Sequence, residues 1–277
     1  MKATYLGTGA AEGIPALFCN CAYCRSVKRR GEFRSRAQVL IDGELSVDFP
    51  PDSAYHAANF GVDLSAVKYL LVTHSHMDHF NPHDLVLRGY KFAWDMRVPK
   101  LEIYGNAEVL EVFAECTRRE LRQAVAENIL VQAVSAYELI EFGGWRAYTL
   151  LAKHDSQEPL LYLLEKNGKR ILHLTDTGKL PEENYLFLKQ IGGAPFDLIT
   201  LDCTLLWNKT EENSRHMGLD ENARTISRLE KLGLADGHTK KVITHFSHNS
   251  APTKESLKKA EKEYGVIAAY DGMTLEF

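Results

Sequence analysis

The stretch Thr73-His74-Ser75-His76-Met77-Asp78-His79 constrains this chain more than any other. It follows the apolar run Tyr69-Leu70-Leu71-Val72, which places it on the loop leaving a strand's end. In extended backbone, residues two apart share a side, so His74 and His76 converge on one point. As the chain turns away, Asp78 and His79 swing towards a second point a few ångströms off. Three imidazoles and a carboxylate this close have little structural use. Buried, they would carry unsatisfied polar groups; exposed, nothing would favour the clustering. Metal ions resolve this, and the fold must then bring further ligands to the same place.

Each remaining candidate also stands where an apolar β run ends. Leu150-Leu151-Ala152-Lys153-His154 puts His154 just past a strand. Ile171-Leu172-His173-Leu174-Thr175-Asp176 does so for Asp176, and Val242-Ile243-Thr244-His245 for His245. One such residue is weak; three are what strands lining a single pocket with their ends would show.

The chain has 277 residues, 45% of them hydrophobic and 25% charged, which is enough for a sizeable core in one large domain. Its 33 Lys+Arg against 37 Asp+Glu leave a net charge of −4, which excludes a strongly basic nucleic-acid binder. No apolar run approaches the ~20 residues that cross a bilayer. The first residues turn at Gly7 before a signal-peptide core could form, so a cytoplasmic protein without membrane contact is expected. No repeat or linker divides the chain, and a single domain over residues 1–277 is expected.

Short β runs recur at 2–6, 38–41, 45–48, 68–72, 101–104, 129–134, 146–151, 160–165, 170–174, 197–201, 241–244 and 266–270, with helical patterns at 106–127, 181–190, 222–231 and 253–264. The last helix is read from the spacing of Leu257, Ala260 and Tyr264 rather than from a full capping box. Asp42-Gly43, Gly143-Gly144 and Asn167-Gly168 signal hairpins, and the whole suggests two mixed sheets packed face to face with helices outside. Gly7-Thr8-Gly9-Ala10-Ala11-Glu12-Gly13 imitates a dinucleotide loop, but its third glycine is one residue late, Pro15 follows and no helix opens there.

His74-x-His76-x-Asp78-His79 followed by His154, Asp176 and His245 resembles the metallo-β-lactamase-fold hydrolases over nearly the whole chain. The resemblance implies an α/β fold, an αββα sandwich of two mixed β-sheets flanked by helices. It implies that His74, His76 and His154 hold one metal, that Asp78, His79 and His245 hold a second, and that Asp176 bridges them. Asp48, closing the run Leu45-Ser46-Val47, matches the aspartate that orients ligands without touching metal. Imidazole and carboxylate suit Zn, Mn or Fe. Two such ions ~3.5–4 Å apart share a hydroxide, lowering water's pKa from 15.7 towards ~7. Hydrolysis follows from that ligand set; the bond hydrolysed does not.

Five cysteines, an odd number, argue against a disulfide framework. Cys116 and Cys203 lie in apolar stretches and read as small buried hydrophobes. Cys19-Asn20-Cys21-Ala22-Tyr23-Cys24 differs: three thiolates favour a zinc that needs a fourth ligand. His248, three residues after His245, is favoured over the distant cysteines. A structural zinc on Cys19, Cys21, Cys24 and His248 would clip the loop at about 17–26 to the loop carrying a catalytic ligand. This combination is similar to the PhnP-type phosphodiesterases of the carbon–phosphorus lyase pathway, which implies phosphodiester cleavage with cyclic ribose phosphates among the substrates. The cysteine loop also looks like that of pyrroloquinoline quinone biosynthesis proteins, but those characteristically carry a degraded metal motif, and here it is complete.

By order, His216 aligns with the family histidine that contacts phosphate and protonates the leaving oxygen, a step suited to an imidazole. With Asp78 it forms the expected catalytic pair. His56, His83, His173 and His238 read as structural. The expectation is a metal-dependent phosphodiesterase acting on small or cyclic ribose- or nucleotide-type diesters, with two divalent ions and one structural zinc; relatives suggest a homodimer. A tRNA 3′-processing endonuclease is the nearest rival, disfavoured by the compact stretch between His154 and Asp176 and by the acidic balance. A glyoxalase-type thioester hydrolase lacks an identifiable thiol-binding region. A metal-stabilised binding protein is disfavoured because the ligand set leaves room for water.

Overall fold

Short apolar runs separated by Gly, Asn and Asp turns build fourteen strands, and the computed structural model describes residues 1–277. The first sheet holds β1 (Lys2–Gly7), β2 (Gln38–Ile41), β3 (Leu45–Val47), β4 (Tyr69–Leu71), β5 (Leu101–Gly105), β6 (Ile129–Ala133) and β14 (Met273–Glu276), in the order β14-β1-β2-β3-β4-β5-β6. The second holds β7 (Leu139–Phe142), β8 (Trp145–Leu151), β9 (Leu160–Lys166), β10 (Lys169–Leu174), β11 (Leu198–Asp202), β12 (Lys240–Thr244) and β13 (Ile267–Ala268), in the order β13-β12-β11-β10-β9-β8-β7. The helices are α1 (Ala22–Arg30), α2 (Ser53–Phe60), α3 (Ala107–Thr117), α4 (Gln123–Ala126), α5 (Glu182–Ile191), α6 (Leu219–Lys231) and α7 (Lys254–Tyr264).

Alternate residues of each strand feed different layers. Leu71 and Ile171 face a central core between the sheets, together with Tyr5, Val39, Tyr162 and Val242. Leu70 packs outward with Ile103 and Val109 beneath α2 and α3. Leu172 packs outward on the other side with Leu188, Leu229 and Leu257 of α5, α6 and α7. Because both faces are covered, the strands read as continuous apolar runs rather than alternating ones. The architecture is the expected αββα sandwich. No helix is long and apolar enough to cross a membrane.

Each sheet is half antiparallel and half parallel. Strands β3 to β6 run parallel, and so do β10 to β13. The carboxyl ends of these strands are where an open α/β sheet offers a crevice. The sheets are also tied at that end, where the Tyr162 hydroxyl donates to Val72 O at 2.7 Å and Leu160 N to Thr73 O at 2.7 Å.

Several expectations need correction. The helix read at 106–127 is broken: α3 ends at Thr117, where the hydroxyl bonds back to Phe113 O at 2.7 Å and bends the last turn, and the chain resumes helix only at Gln123. α7 does carry a full capping box, with Thr253 and Ser256 each accepting from the other's backbone N–H. Helices α1 and α2 and strands β7 and β14 lie outside the runs read from sequence. Cys203 is buried, but Cys116 is only half-buried. The hairpins at Asp42-Gly43, Gly143-Gly144 and Asn167-Gly168 form as expected. The glycine-rich loop is a close-approach turn: a Cβ on Gly7 would sit 1.9 Å from Arg36 O.

Candidate metal centre

Three residues of the site close parallel strands in left-handed backbone. Asp48 follows β3 with φ 65°, Asp176 lies beyond β10 with φ 60°, and His245 follows β12 with φ 62°. That conformation costs a non-glycine residue of order 1–3 kcal/mol and persists where the surroundings over-determine it. Here it turns each side chain off its sheet and into the crevice.

The sequence candidates meet there in two groups. His74, His76 and His154 form one; Asp78, His79, Asp176 and His245 form the other, the donor atoms of each lying within 4.8 Å of one another. His74 Nε2 is 3.0 Å from His76 Nδ1, which is 3.3 Å from His154 Nε2. Asp176, in the second group, also reaches the first: its Oδ2 lies 3.0 Å from His79 Nε2 and 3.4 Å from His74 Nε2.

Three imidazoles are anchored through Nδ1. That of His79 is 2.7 Å from Asp48 Oδ2, that of His74 is 3.0 Å from Thr73 Oγ1, and that of His245 is 2.8 Å from Thr204 Oγ1. In these three Nε2 is left facing the centre, the way proteins present histidine to metal. His154 Nδ1 lies 3.2 Å from Asp176 Oδ1 and 3.4 Å from Arg215 O. Asp48 is held in turn by Thr73, whose backbone N donates to its Oδ1 at 2.8 Å.

The fit to metal can be tested on these atoms. His79 Nε2, His245 Nε2 and Asp176 Oδ1 are buried without an aligned hydrogen-bond partner. Carboxylate oxygens lie 3.0 Å from His79 Nε2, but no N–H direction serves them. The donors surround a point rather than address each other. Ligands about 2.0 Å from a common tetrahedral ion stand about 3.4 Å apart, which matches the spacings above. The residues fit two divalent cations.

Burial drives the His74 imidazole well below its ordinary pKa, with neighbouring imidazoles adding to the shift. Burial would also lower His79, but Asp78 and Asp48 beside it hold its pKa well up. Asp78 and Asp176 are both held well below the carboxylate range despite burial, chiefly by His79 for the first and His245 for the second.

His216 reaches the same crevice, 27% exposed, with Nδ1 3.0 Å from Asp176 Oδ1 and 3.1 Å from Asp202 Oδ2. Burial opposes its charge, but Asp202 and Asp176 raise its pKa to about 11. Gly178 lets this histidine's loop approach, since a Cβ there would sit 2.1 Å from Ser214 O. Asp202 escaped the sequence reading. It is fully buried at the end of β11, its Oδ1 accepting from Thr204 N and Met217 N at 3.0 and 3.1 Å. The signal was there: Leu198-Ile199-Thr200-Leu201-Asp202 is another apolar run ending in an acid. The crevice is an open pocket of about 400 Å³ whose rim includes Glu12, Asn208, Arg215 and Asn249.

The cysteine cluster assembles as well. Cys19, Cys21, Cys24 and His248 place their donors within 4.8 Å, with Cys24 Sγ 3.4 Å and Cys21 Sγ 4.0 Å from His248 Nδ1. Zinc bonds of about 2.3 Å to sulfur and 2.0 Å to nitrogen set such atoms about 3.6 Å apart, so the set fits a zinc. Cys21 also caps α1, accepting from Cys24 N at 3.4 Å; that bond and His248 pull its thiol down to about 6. Glu12 joins the two loops, its Oε1 accepting from Ser247 Oγ at 2.6 Å and His248 N at 3.2 Å. His83 and His238 lie outside every cluster, and His56 and His173 are buried in the framework.

A four-layer αββα sandwich with a histidine–aspartate nest at the strands' carboxyl ends defines a metallo-β-lactamase-fold protein, a class of metal-dependent hydrolases. The chain belongs to the β-lactamase superfamily: the family model described as "Beta-lactamase superfamily domain" matches residues 38–246. Among solved structures, a diphosphatase from the PhnP family is similar with a TM-score of 0.72 and 26% identity, covering 100% of this chain and 98% of that one. The coenzyme PQQ synthesis protein B of Methylorubrum extorquens is 23% identical over 310 residues, covering 100% of both chains. An octanoyltransferase of Porphyromonas gingivalis is 24% identical over 289 residues, covering 99% of this chain; the chain spans about half of that protein, 51%.

Proposed function

We propose that this protein is a metal-dependent phosphodiesterase acting on small or cyclic phosphodiesters of the ribose or nucleotide type. The observation that carries the reading is the Asp176 carboxylate, a member of one ligand group and 3.4 Å from His74 Nε2 of the other, beside an open polar pocket. In this reading His74, His76 and His154 hold one cation, Asp78, His79 and His245 the other, and Asp176 both. When bound, a pair of divalent cations supplies Lewis acidity and activates water at neutral pH. The chain's own residues do the rest. Asp48, Thr73 and Thr204 fix the imidazoles of His79, His74 and His245, so that no reorganisation is needed at the moment of reaction. His216, steadied at Nδ1 by Asp202, keeps Nε2 to donate a proton to the departing ester oxygen. Cys19, Cys21, Cys24 and His248 hold a structural zinc that fastens the loop following His245.

Similarity to a PhnP-family diphosphatase supports phosphorus as the reacting centre. A role in cofactor biosynthesis is the second reading, favoured by the end-to-end match to the PQQ synthesis protein. A panel of ribose cyclic phosphates, 2′,3′-cyclic nucleotides, precursor tRNA and thioesters, offered to one metal-loaded preparation, tests the first reading. We expect turnover of a small phosphodiester, lost by at least about 10³-fold in His76→Ala and Asp176→Ala while circular dichroism is kept. Turnover retained in either variant, or a preference for thioester, contradicts the proposal.

A further inference from the structure

Charge is spread unevenly along this chain. Residues 87–100 and 118–122 together carry seven Lys or Arg against Asp95 and Glu120, a surplus of +5 in a chain of net charge −4, so the remainder stands at −9. The two segments meet in space: Lys91 Nζ and the Arg122 guanidinium lie 5.6 and 5.9 Å from the centre of the Tyr90 ring. The second segment is a compact turn, with Glu120 N and Leu121 N donating to Thr117 O at 3.0 and 2.9 Å. Of the seven cations, Arg88 is spent on backbone carbonyls and Arg97 on Asp63 at 3.0 Å. Lys91, Lys100, Arg118, Arg119 and Arg122 are exposed, and no carboxylate pairs with them.

The same loop leaves Leu87, Tyr90, Phe92 and Trp94 uncovered, Phe92 by 60% and Trp94 by 75%. Four large apolar side chains exposed within eight residues mark an interaction surface rather than scattered exposure. Beneath them opens an apolar cavity of about 330 Å³, with Ala93, Trp94 and Met96 in its wall. Rings flanked by Lys and Arg suit the face of an anionic bilayer, where aromatics sit at headgroup depth and each cation adds attraction. A nucleic-acid strand would meet the same charges but needs open ring faces to stack on. Here the Tyr90 ring is already engaged by two of the chain's own cations, and Leu87 has no ring to offer. The lack of an apolar span excludes crossing a bilayer, not lying on one. Position agrees as well. Arg88 NH1 donates to Leu64 O at 3.3 Å and Val98 N to Ser65 O at 3.0 Å, which fastens the loop just before β4. It therefore sits at the amino end of the parallel strands, and the metal crevice at their carboxyl end stays open.

We propose that residues 87–100, together with the turn 118–122, dock this protein on an anionic lipid surface. The test is co-sedimentation of the full-length, metal-loaded protein with vesicles of phosphatidylcholine, alone or with about 30% phosphatidylserine. The anionic vesicles should bind at least about tenfold more tightly, and the difference should shrink as salt rises from about 0.1 to about 0.5 M. Lys91→Glu with Arg119→Glu should lose at least about tenfold, and Phe92→Ser with Trp94→Ser a similar factor. Lys258→Glu with Lys262→Glu, the same change of charge on α7, should lose less than about twofold. Trp94 fluorescence should shift to the blue on anionic vesicles and the shift should vanish in Trp94→Phe, a readout that stands even where a paired variant fails to fold. Equal binding to both vesicles, an equal loss from the α7 pair, wild-type binding in the Phe92 and Trp94 pair, or no blue shift would each overturn the proposal. No vesicle binding alongside salt-sensitive binding of single-stranded RNA would overturn it too, and give the surface to nucleic acid.

Discussion

Residue chemistry made the centre legible. A carboxylate and three imidazoles within six residues marked the loop as metal-binding, and the family resemblance supplied the sorting of ligands; the side chains come together as His74, His76 and His154 and as Asp78, His79, Asp176 and His245. What stayed hidden was backbone conformation. Nothing in Asp48, Asp176 or His245 as residue types announces a positive φ, yet that geometry aims all three. Thr204 was silent, because the imidazoles it meets, His216 and His245, lie 12 and 41 positions away, whereas Asp202 stood legibly at the end of an apolar run and was passed over. A framework histidine gives a prediction at this scale. His56 is fully buried, with Nδ1 2.6 Å from Gln38 Oε1 and Nε2 2.8 Å from Ser35 Oγ. Burial pulls its pKa down to about 4, opposed by Asp52. The unfolded chain therefore takes up a proton first, near pH 6.5, so the contribution is complete above that value and drains away between pH 6.5 and about 4. The loss approaches ~3 kcal/mol. Urea denaturation at pH 7 and pH 4.5 should show a smaller acid loss for His56→Gln than for wild type; equal losses would mean His56 is not the group responsible.

Secondary elements were legible where apolar periodicity was strong and hidden where it was not. Helix α1 is short, buries only Cys24 and Val27 and ends in Lys28, Arg29 and Arg30, so too few apolar residues mark its buried side. The break between Thr117 and Gln123 falls inside a continuous helical pattern, which propensity does not report. Edge strand β14 finds its place only by pairing with β1 across the whole chain length. The α1 start is where an element's stability and the site connect, since Cys21 both caps the helix and faces His248. Cys21→Ala should remove one zinc equivalent and lower the melting temperature by about 5 °C, the scale of ~2 kcal/mol in a chain of this size. Unchanged melting with full metal content would remove the clip.

Across the whole molecule, hairpin signals and strand count pointed to two facing sheets, and the resemblance supplied the layer order. Strand order was beyond the sequence, because β3 to β6 and β10 to β13 pair in parallel through connections that pattern does not reveal. That parallel half of each sheet gathers Asp48, His74, Asp176, Asp202 and His245 at one rim. The central claim is that this rim holds a pair of cations sharing Asp176. Anomalous diffraction from zinc-loaded crystals tests it most directly. The account predicts two peaks ~3.5–4 Å apart on either side of the Asp176 carboxylate and a third among Cys19, Cys21, Cys24 and His248. A single peak at the thiolates, with none beside Asp176 in fully loaded crystals, would contradict it.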